Sequence, residues 1–249
     1  MFKNAMEMPA KIKSINKLSR NLFTAIVWRL AAWPINWFAV NSCMRLKISG
    51  RENLKALPCG PIIVASNHSH NLDPFVIVRG IPWPSLLIPL SFMVKEPMYK
   101  LFGGLSGLIL PVLGCLKVHS KIGRKNGVSE DILAARKVLE NGLPLGMFPE
   151  GRISPDGKLG VFSNSIGRLV VETKATVLPV AIVGMHGARW LDVFLRKRCV
   201  HVSIGEPLMF PKGEIPAECT SLRLRKCVTK AIRNKIEAMI QRVNSFFNY

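Results

Sequence analysis

His68 and Asp73 are the pair of side chains in this sequence whose types and spacing suit them to do chemistry together. A neutral imidazole takes a proton from an attacking hydroxyl, while a carboxylate on its other ring nitrogen fixes the tautomer and stabilises the imidazolium. This is the His–Asp half of a serine-hydrolase triad without the serine, so the hydroxyl would come from the substrate. On one continuous helix an offset of five residues puts the two about 140° apart, and they would not meet. Across a turn they can. The stretch Ser66-Asn67-His68-Ser69-His70-Asn71-Leu72-Asp73-Pro74 reads as such a turn. It follows the apolar run Pro61-Ile62-Ile63-Val64-Ala65, whose β-branched residues predict a buried strand. Asp73-Pro74 predicts a helix start, with Asp as N-cap and Pro at the first helical position. The bland alternative makes His68 a turn residue and Asp73 only a cap. His70 shares the turn, but its spacing to Asp73 does not suit the same role.

A second group stands at the end of another predicted strand, Leu145-Gly146-Met147-Phe148. Phe148-Pro149-Glu150-Gly151-Arg152 continues from it, and the carboxyl ends of strands are where sites assemble in open α/β sheets. Gly151 permits a close backbone approach or a strained turn, and Arg152 can clamp a phosphate with two parallel hydrogen bonds. Taken alone, the segment also reads as a surface turn with a solvated Arg.

The elements that must hold these groups alternate between strand and helix. Phe75–Val78 predicts a short helix and Leu86–Val94 a second strand. Leu101–Val118, broken by four glycines and Pro111, predicts a helix, a loop and a strand within the fold. Arg124–Gly127 reads as a turn. Ser129–Asn141 predicts a helix capped by Ser129 and ended by Gly142, with Ile132, Ala135, Val138 and Leu139 on one face. Asn164–Thr173 predicts a helix, Val177–Val183 and Val200–Ile204 strands, and Leu222–Phe247 a basic amphipathic helix. The expected fold class is α/β, with a single mixed, largely parallel sheet flanked by helices.

With 249 residues, 49% of them hydrophobic, the chain can bury one large core with an appendage. Its formal charge of +20 is concentrated at the ends. Residues 1–50 hold eight Lys/Arg against Glu7, and residues 196–249 hold eleven against four Glu. Such ends suit an anionic partner. Apolar, Trp-bearing sequence beside the basic residues and no nucleic-acid motif favour anionic membrane lipids over nucleic acid. Six scattered cysteines without a Cys-x-x-Cys pair argue against a zinc site or a disulfide framework and suit a reducing compartment.

Leu22–Val40 is apolar, carries Trp28, Trp33 and Trp37, and is interrupted by Arg29 and Pro34. A central Arg is costly in hydrocarbon and Trp prefers the interface. The expectation is therefore a pair of interfacial helices bent near Pro34 and lying in one leaflet, behind the basic Lys11, Lys13, Lys17 and Arg20. A helix docked on the domain core is the competing reading. The expected division is residues 1–49 as this N-terminal interfacial membrane-binding helical segment and 50–249 as the catalytic domain.

Taken together and in order, these segments resemble the glycerolipid acyltransferases, the family that includes the lysophosphatidic acid acyltransferases. Asn67-His68 with Asp73-Pro74 matches the family's His-x4-Asp motif, and Phe148-Pro149-Glu150-Gly151 with Ser154 its Phe-Pro-Glu-Gly block. Leu178-Pro179-Val180 resembles its late Val-x-Pro-Val strand and Lys95-Glu96 its Lys-x-Glu region. The resemblance covers roughly residues 50–205. It implies that His68 is a general base, that Asp73 orients it, and that the block around Phe148, Pro149, Glu150, Gly151 and Arg152 binds the acyl acceptor. It also implies an acyl-CoA or acyl-carrier-protein thioester as donor and a lysophospholipid as acceptor, usually lysophosphatidate. No metal or further cofactor is implied.

Two departures bear on the acceptor. Arg152 stands one place earlier than in the common Glu-Gly-Thr-Arg-Ser form. The resulting Glu-Gly-Arg-Ile-Ser resembles the branch that acylates lysophosphatidylethanolamine. Where the family has Asp-Arg after a strand, this chain has Gly114-Cys115-Leu116-Lys117-Val118-His119-Ser120, and Lys117 or Lys121 is the candidate for the missing positive charge. The expected protein is an O-acyltransferase at the cytoplasmic face of a membrane. The alternatives are acylation of lysophosphatidylethanolamine or another lysolipid and, from a different class, a non-catalytic basic membrane-binding protein.

Overall fold

The apolar β-branched runs of the sequence become the central strands of one twisted sheet, and the helices that follow them cover its two faces. The structure, a computed structural model, describes residues 26–85, 87–95, 115–118, 124–125, 128–210 and 221–247. The strands are β1 (Arg45–Ser49), β2 (Ile62–Ser66), β3 (Ser91–Lys95), β4 (Leu116–Val118), β7 (Leu145–Met147), β8 (Thr176–Val183) and β9 (Cys199–Ile204). They join in the order β1-β9-β8-β2-β7-β3-β4. The pairings β8-β2-β7-β3-β4 are all parallel, and so is β1 with β9. The β8–β9 pair is antiparallel, which makes the sheet mixed but largely parallel. Two short strands, β5 (Arg124–Lys125) and β6 (Val128–Ser129), pair separately as an antiparallel hairpin.

Alternate residues of β2 point to opposite faces. Ile62 and Val64 pack with Val40 of α1 (Trp33–Cys43) and Val76–Val78 of α2 (Asp73–Gly80). Ile63 and Ala65 pack under α3 (Glu130–Glu140), α4 (Ser165–Thr173) and the long α6 (Ser221–Phe247), through Leu139, Ile166, Ile232 and Ile236. All five residues of β2 are buried, as a central parallel strand covered on both faces must be. A short helix, α5 (Trp190–Phe194), lies between β8 and β9.

Several expectations are corrected. The boundary drawn between residues 49 and 50 cuts off β1, whose exposed–intermediate alternation is that of a sheet edge. The predicted strand Leu86–Val94 shortens to β3, because Pro89 has no N–H for a ladder; Leu87–Leu90 is buried without being a strand. Ser129 precedes α3 but makes no side-chain cap bond. Leu101–Gly114 lies outside the described residues.

Residues 26–43 form one uninterrupted helical run rather than a helix pair. A π-helical turn, Trp28–Ala32, comes directly before Pro34 in the first turn of α1, where the missing proline N–H forces the ladder to adjust. The competing reading, a helix docked on the domain, describes one side of this run. There Val40 is buried, the Asn36 side-chain amide donates to Phe75 O at 3.0 Å, and Trp33 Nε1–H donates to Ile81 O at 3.3 Å. The other side leaves Leu30, Ile35 and Phe38 more than two-thirds exposed, at 77%, 67% and 69%. Residues 1–25, including Lys11, Lys13, Lys17 and Arg20, lie outside the described residues. Among the described residues no helix is long and apolar enough to cross a membrane.

Candidate active site

β2 delivers the His68 turn to the carboxyl end of the sheet, and one side chain keeps the chain extended beyond the strand. The amide of Asn67 donates to Ile182 O at 2.8 Å and accepts the Ile182 N–H at 2.8 Å. It thereby stands in for one more peptide of the β2–β8 ladder. The turn that follows brings His68 and Asp73 together, with Nδ1 2.9 Å from Asp73 Oδ2. The same oxygen accepts the main-chain N–H groups of Ser69 at 2.6 Å and His70 at 2.8 Å. Asp73 is completely buried and begins α2 itself, with Leu72 at the N-cap. The expected cap is therefore corrected: the carboxylate turns back into the loop, toward its three donors, and not onward to the helix. An ionised carboxylate only accepts, so the proton sits on Nδ1 and the lone pair on Nε2.

His68 lines a cleft of about 480 Å³ together with Asn71, Phe148, Pro149, Gly151 and Arg152. Phe148 stacks on the imidazole with ring centroids 4.0 Å apart and planes 16° from parallel. Behind it Phe92 stacks on Phe148 at 6.0 Å. Cys115 adjoins Phe92, and burial pushes its thiol up to about 11. Gly151 takes the left-handed backbone, φ 67°, that closes the Phe148–Gly151 turn through Gly151 N–H to Phe148 O at 3.0 Å. Arg152 is exposed and lines the cleft. Ser129, Asp131, Ser163 and Ser165 add further polar residues to the cleft wall.

Glu150 is placed differently. It is not in the cleft wall; Oε1 accepts the His68 N–H at 3.0 Å and Oε2 the Gly160 N–H at 2.9 Å. Ser154 N–H donates to His68 O at 2.8 Å, so Glu150 and Ser154 together hold the main chain of His68 at both ends. His70 Nδ1 accepts the Leu72 N–H at 3.1 Å, a local role within the turn. The side chain of Lys117, in β4, and all of Lys121 lie outside the described residues.

Residues 45–183 match the family model described as Acyltransferase, which is more than half of the chain and includes His68, Asp73 and the whole 148–152 turn. The chain belongs to the acyltransferase family. A 1-acyl-sn-glycerol-3-phosphate acyltransferase of Cocos nucifera is 30% identical over 189 residues, covering 74% of this chain and 53% of its own length. One of Pseudomonas aeruginosa is 27% identical over 211 residues, covering 83% of this chain and 75% of its own. The crystal structure of the 1-acyl-sn-glycerophosphate (LPA) acyltransferase PlsC from Thermotoga maritima shares the fold, with a TM-score of 0.61 at 21% identity over 96% of this chain and 84% of that one. The chain spans about half the length of the first curated relatives it matches. The last helix, α6, falls beyond the matched span, although its Ile232 and Ile236 complete the core beneath the site.

Sequence reasoning singled out the pair and the 148–152 turn, and the structure brings both to one sheet edge. It missed Asn67 as a ladder extension, Phe92 behind Phe148, and Asp131 in the cleft wall. An Asn directly after a strand was the one signal for the first. Nothing in the linear pattern marked the other two.

Proposed function

We propose that this protein transfers a fatty acyl group from an acyl thioester, carried by acyl-CoA or acyl-carrier protein, to the free hydroxyl of a lysoglycerophospholipid, with 1-acylglycerol-3-phosphate the leading acceptor. The observation that carries this reading is the 2.9 Å contact between His68 Nδ1 and a fully buried Asp73, at the head of a cleft walled by Arg152. In this reading His68 Nε2 takes the acceptor's hydroxyl proton as its oxygen attacks the thioester carbonyl. The buried carboxylate stabilises the imidazolium that forms. The tetrahedral intermediate then expels the thiolate, which takes the proton back from Nε2. No protein nucleophile is acylated. Arg152 binds the acceptor phosphate.

A second acceptor, lysophosphatidylethanolamine, has the support of Asp131 in the same wall, since a carboxylate suits an ammonium group. The acceptor stays in its leaflet, so we also propose that the exposed apolar side of residues 26–43 rests in the membrane interface. Ile26, Leu30, Ile35 and Phe38, with nearby Phe75 and Trp83, supply the apolar contact, and the basic N-terminal residues supply attraction to anionic lipid at the cytoplasmic face. The deciding experiment is a matrix of thioester donors against lysolipid acceptors on the purified protein, with thiol release and diacyl product both measured. Turnover of lysophosphatidate above all other lysolipids supports the leading reading; preference for the ethanolamine lipid selects the second. Lipid binding without turnover of any pair would support the non-catalytic alternative.

A further inference from the structure

Arg233 belongs to α6, outside the segment matched by the family model, and its guanidinium is turned toward the domain. Nε–H donates to Gly160 O at 3.0 Å and Nη2–H to Leu159 O at 3.2 Å. Glu237, one helical turn on, holds Nη1 at 2.8 Å and Nη2 at 3.2 Å. Leu159 O and Gly160 N–H are the two ends of one peptide unit, and the N–H end donates to Glu150 Oε2 at 2.9 Å. Glu150 Oε1 then accepts the His68 N–H at 3.0 Å. The order is thus guanidinium, peptide, carboxylate, histidine main chain.

A cation on the carbonyl side of a peptide and an anion on its N–H side polarise it in the same sense, so the bonds strengthen one another. A guanidinium reaching two carbonyls is pre-organised for this in a way an ammonium is not. Both oxygens of Glu150 are engaged by main-chain N–H groups, so its carboxylate belongs to the same chain of bonds. We infer that Arg233 is a positioning residue: through the Leu159–Gly160 peptide and Glu150 it holds the main chain of His68 where the ring meets both Asp73 and the cleft. This rests on the reading of His68 as the general base. The C-terminal helix is therefore a working part of the site, and not only a cover for the core.

The test uses the full-length protein and five variants of it: Arg233→Ala, Arg233→Lys, Glu150→Gln, the double variant Arg233→Ala with Glu150→Gln, and the control Lys235→Ala. Lys235 lies on the same helix and makes an ion pair with Glu206 at 3.0 Å, off this path. Two quantities are read: hydrogen exchange at the His68 main-chain amide, which does not depend on activity, and kcat and KM for acyl transfer. Arg233→Ala should speed exchange at His68 about tenfold and lower kcat about tenfold, short of the roughly hundredfold that a 1 Å misplacement can cost. The acceptor KM should stay within about twofold, since no substrate contact is removed. Arg233→Lys should recover part of both losses, and combining Arg233→Ala with Glu150→Gln should cost no more than the worse single change. Lys235→Ala should move neither quantity. Unchanged exchange at His68 in Arg233→Ala, an equal change in Lys235→Ala, or simple addition in the double variant would each overturn the inference. Should Arg233→Ala fail to fold, the exchange rate in Arg233→Lys decides alone. Full activity in His68→Ala would remove the base reading while the exchange measurement still judged the positioning.

Discussion

Replacing Asp73 with Asn removes one charge and almost no volume, and its effect can be worked from the contacts. Oδ2 accepts three hydrogen bonds and Oδ1, equally buried, accepts none among the described residues. The Asn side chain can keep its oxygen in the Oδ2 place only by putting its NH2 where Oδ1 was, buried without a partner. That costs about 1–3 kcal/mol, and weakening three charge-assisted bonds to neutral ones adds about as much again. The opposite orientation points NH2 at the Ser69 and His70 amides, which is worse. Stability should therefore fall by about 2–6 kcal/mol, measured by chemical denaturation. In the reaction, the imidazolium loses its counter-charge and Nδ1 its preferred proton. The kcat should fall about 10²- to 10⁴-fold, the range for a general base, with a smaller change in acceptor KM. The assay is thiol release coupled to diacyl product, run below the unfolding temperature of the variant. A folded Asp73→Asn protein with kcat within threefold of the parent would refute the claim that this carboxylate tunes His68.

Three further outcomes follow from neighbouring residues. A Cβ at Gly146 would overlap the Phe92 ring, which is almost fully buried against Phe148; Gly146→Ala should cost about 1–3 kcal/mol of stability and lower kcat by tilting Phe148 off the imidazole, as denaturation and steady-state kinetics would show. With its thiol raised to about 11, Cys115 should alkylate roughly two orders of magnitude more slowly near pH 8 than the exposed Cys59 and Cys227, an order that peptide mapping by mass spectrometry would reveal. Burial and the nearby Lys47 hold His201 below the ordinary histidine range; the unfolded chain then binds the extra proton first, and stability falls as pH drops below about 6.5, so the loss of Tm between about pH 7.5 and about pH 5.5 should be smaller in His201→Gln.

The parts legible in the sequence were those that local physics dictates. Ile62–Ser66 and Thr176–Val183 announced themselves as largely apolar, β-branched runs, Cys199–Ile204 by Val200, Val202 and Ile204 at alternate positions, and Ser165–Thr173 by its helical spacing. Asp73 and His68 met as expected because a polar turn after a strand leaves few other ways to go. Arg45–Ser49 escaped because an edge strand alternating Arg, Leu, Lys, Ile and Ser looks like the basic segment before it; only its pairing with β9 defines it. Glu150 was expected at the acceptor, where its motif neighbours Gly151 and Arg152 do line the cleft, but the rotation of one residue turned its carboxylate to His68 and Gly160. Arg233 looked like one of many charges on a basic helix. That it faces inward depends on how α6 is rolled on the sheet, across a separation of 73 residues from Gly160, which no local pattern encodes.

In the proposed reaction His68 is the base that deprotonates the acceptor hydroxyl. The most direct measurement compares the parent protein with His68→Ala in a single assay that follows thiol release and diacyl lipid together, on vesicles holding the lysolipid acceptor. Acyl transfer by His68→Ala should fall by about 10²-fold or more, while its vesicle binding stays close to the parent. Equal rates of diacyl product in the two proteins would contradict the base assignment.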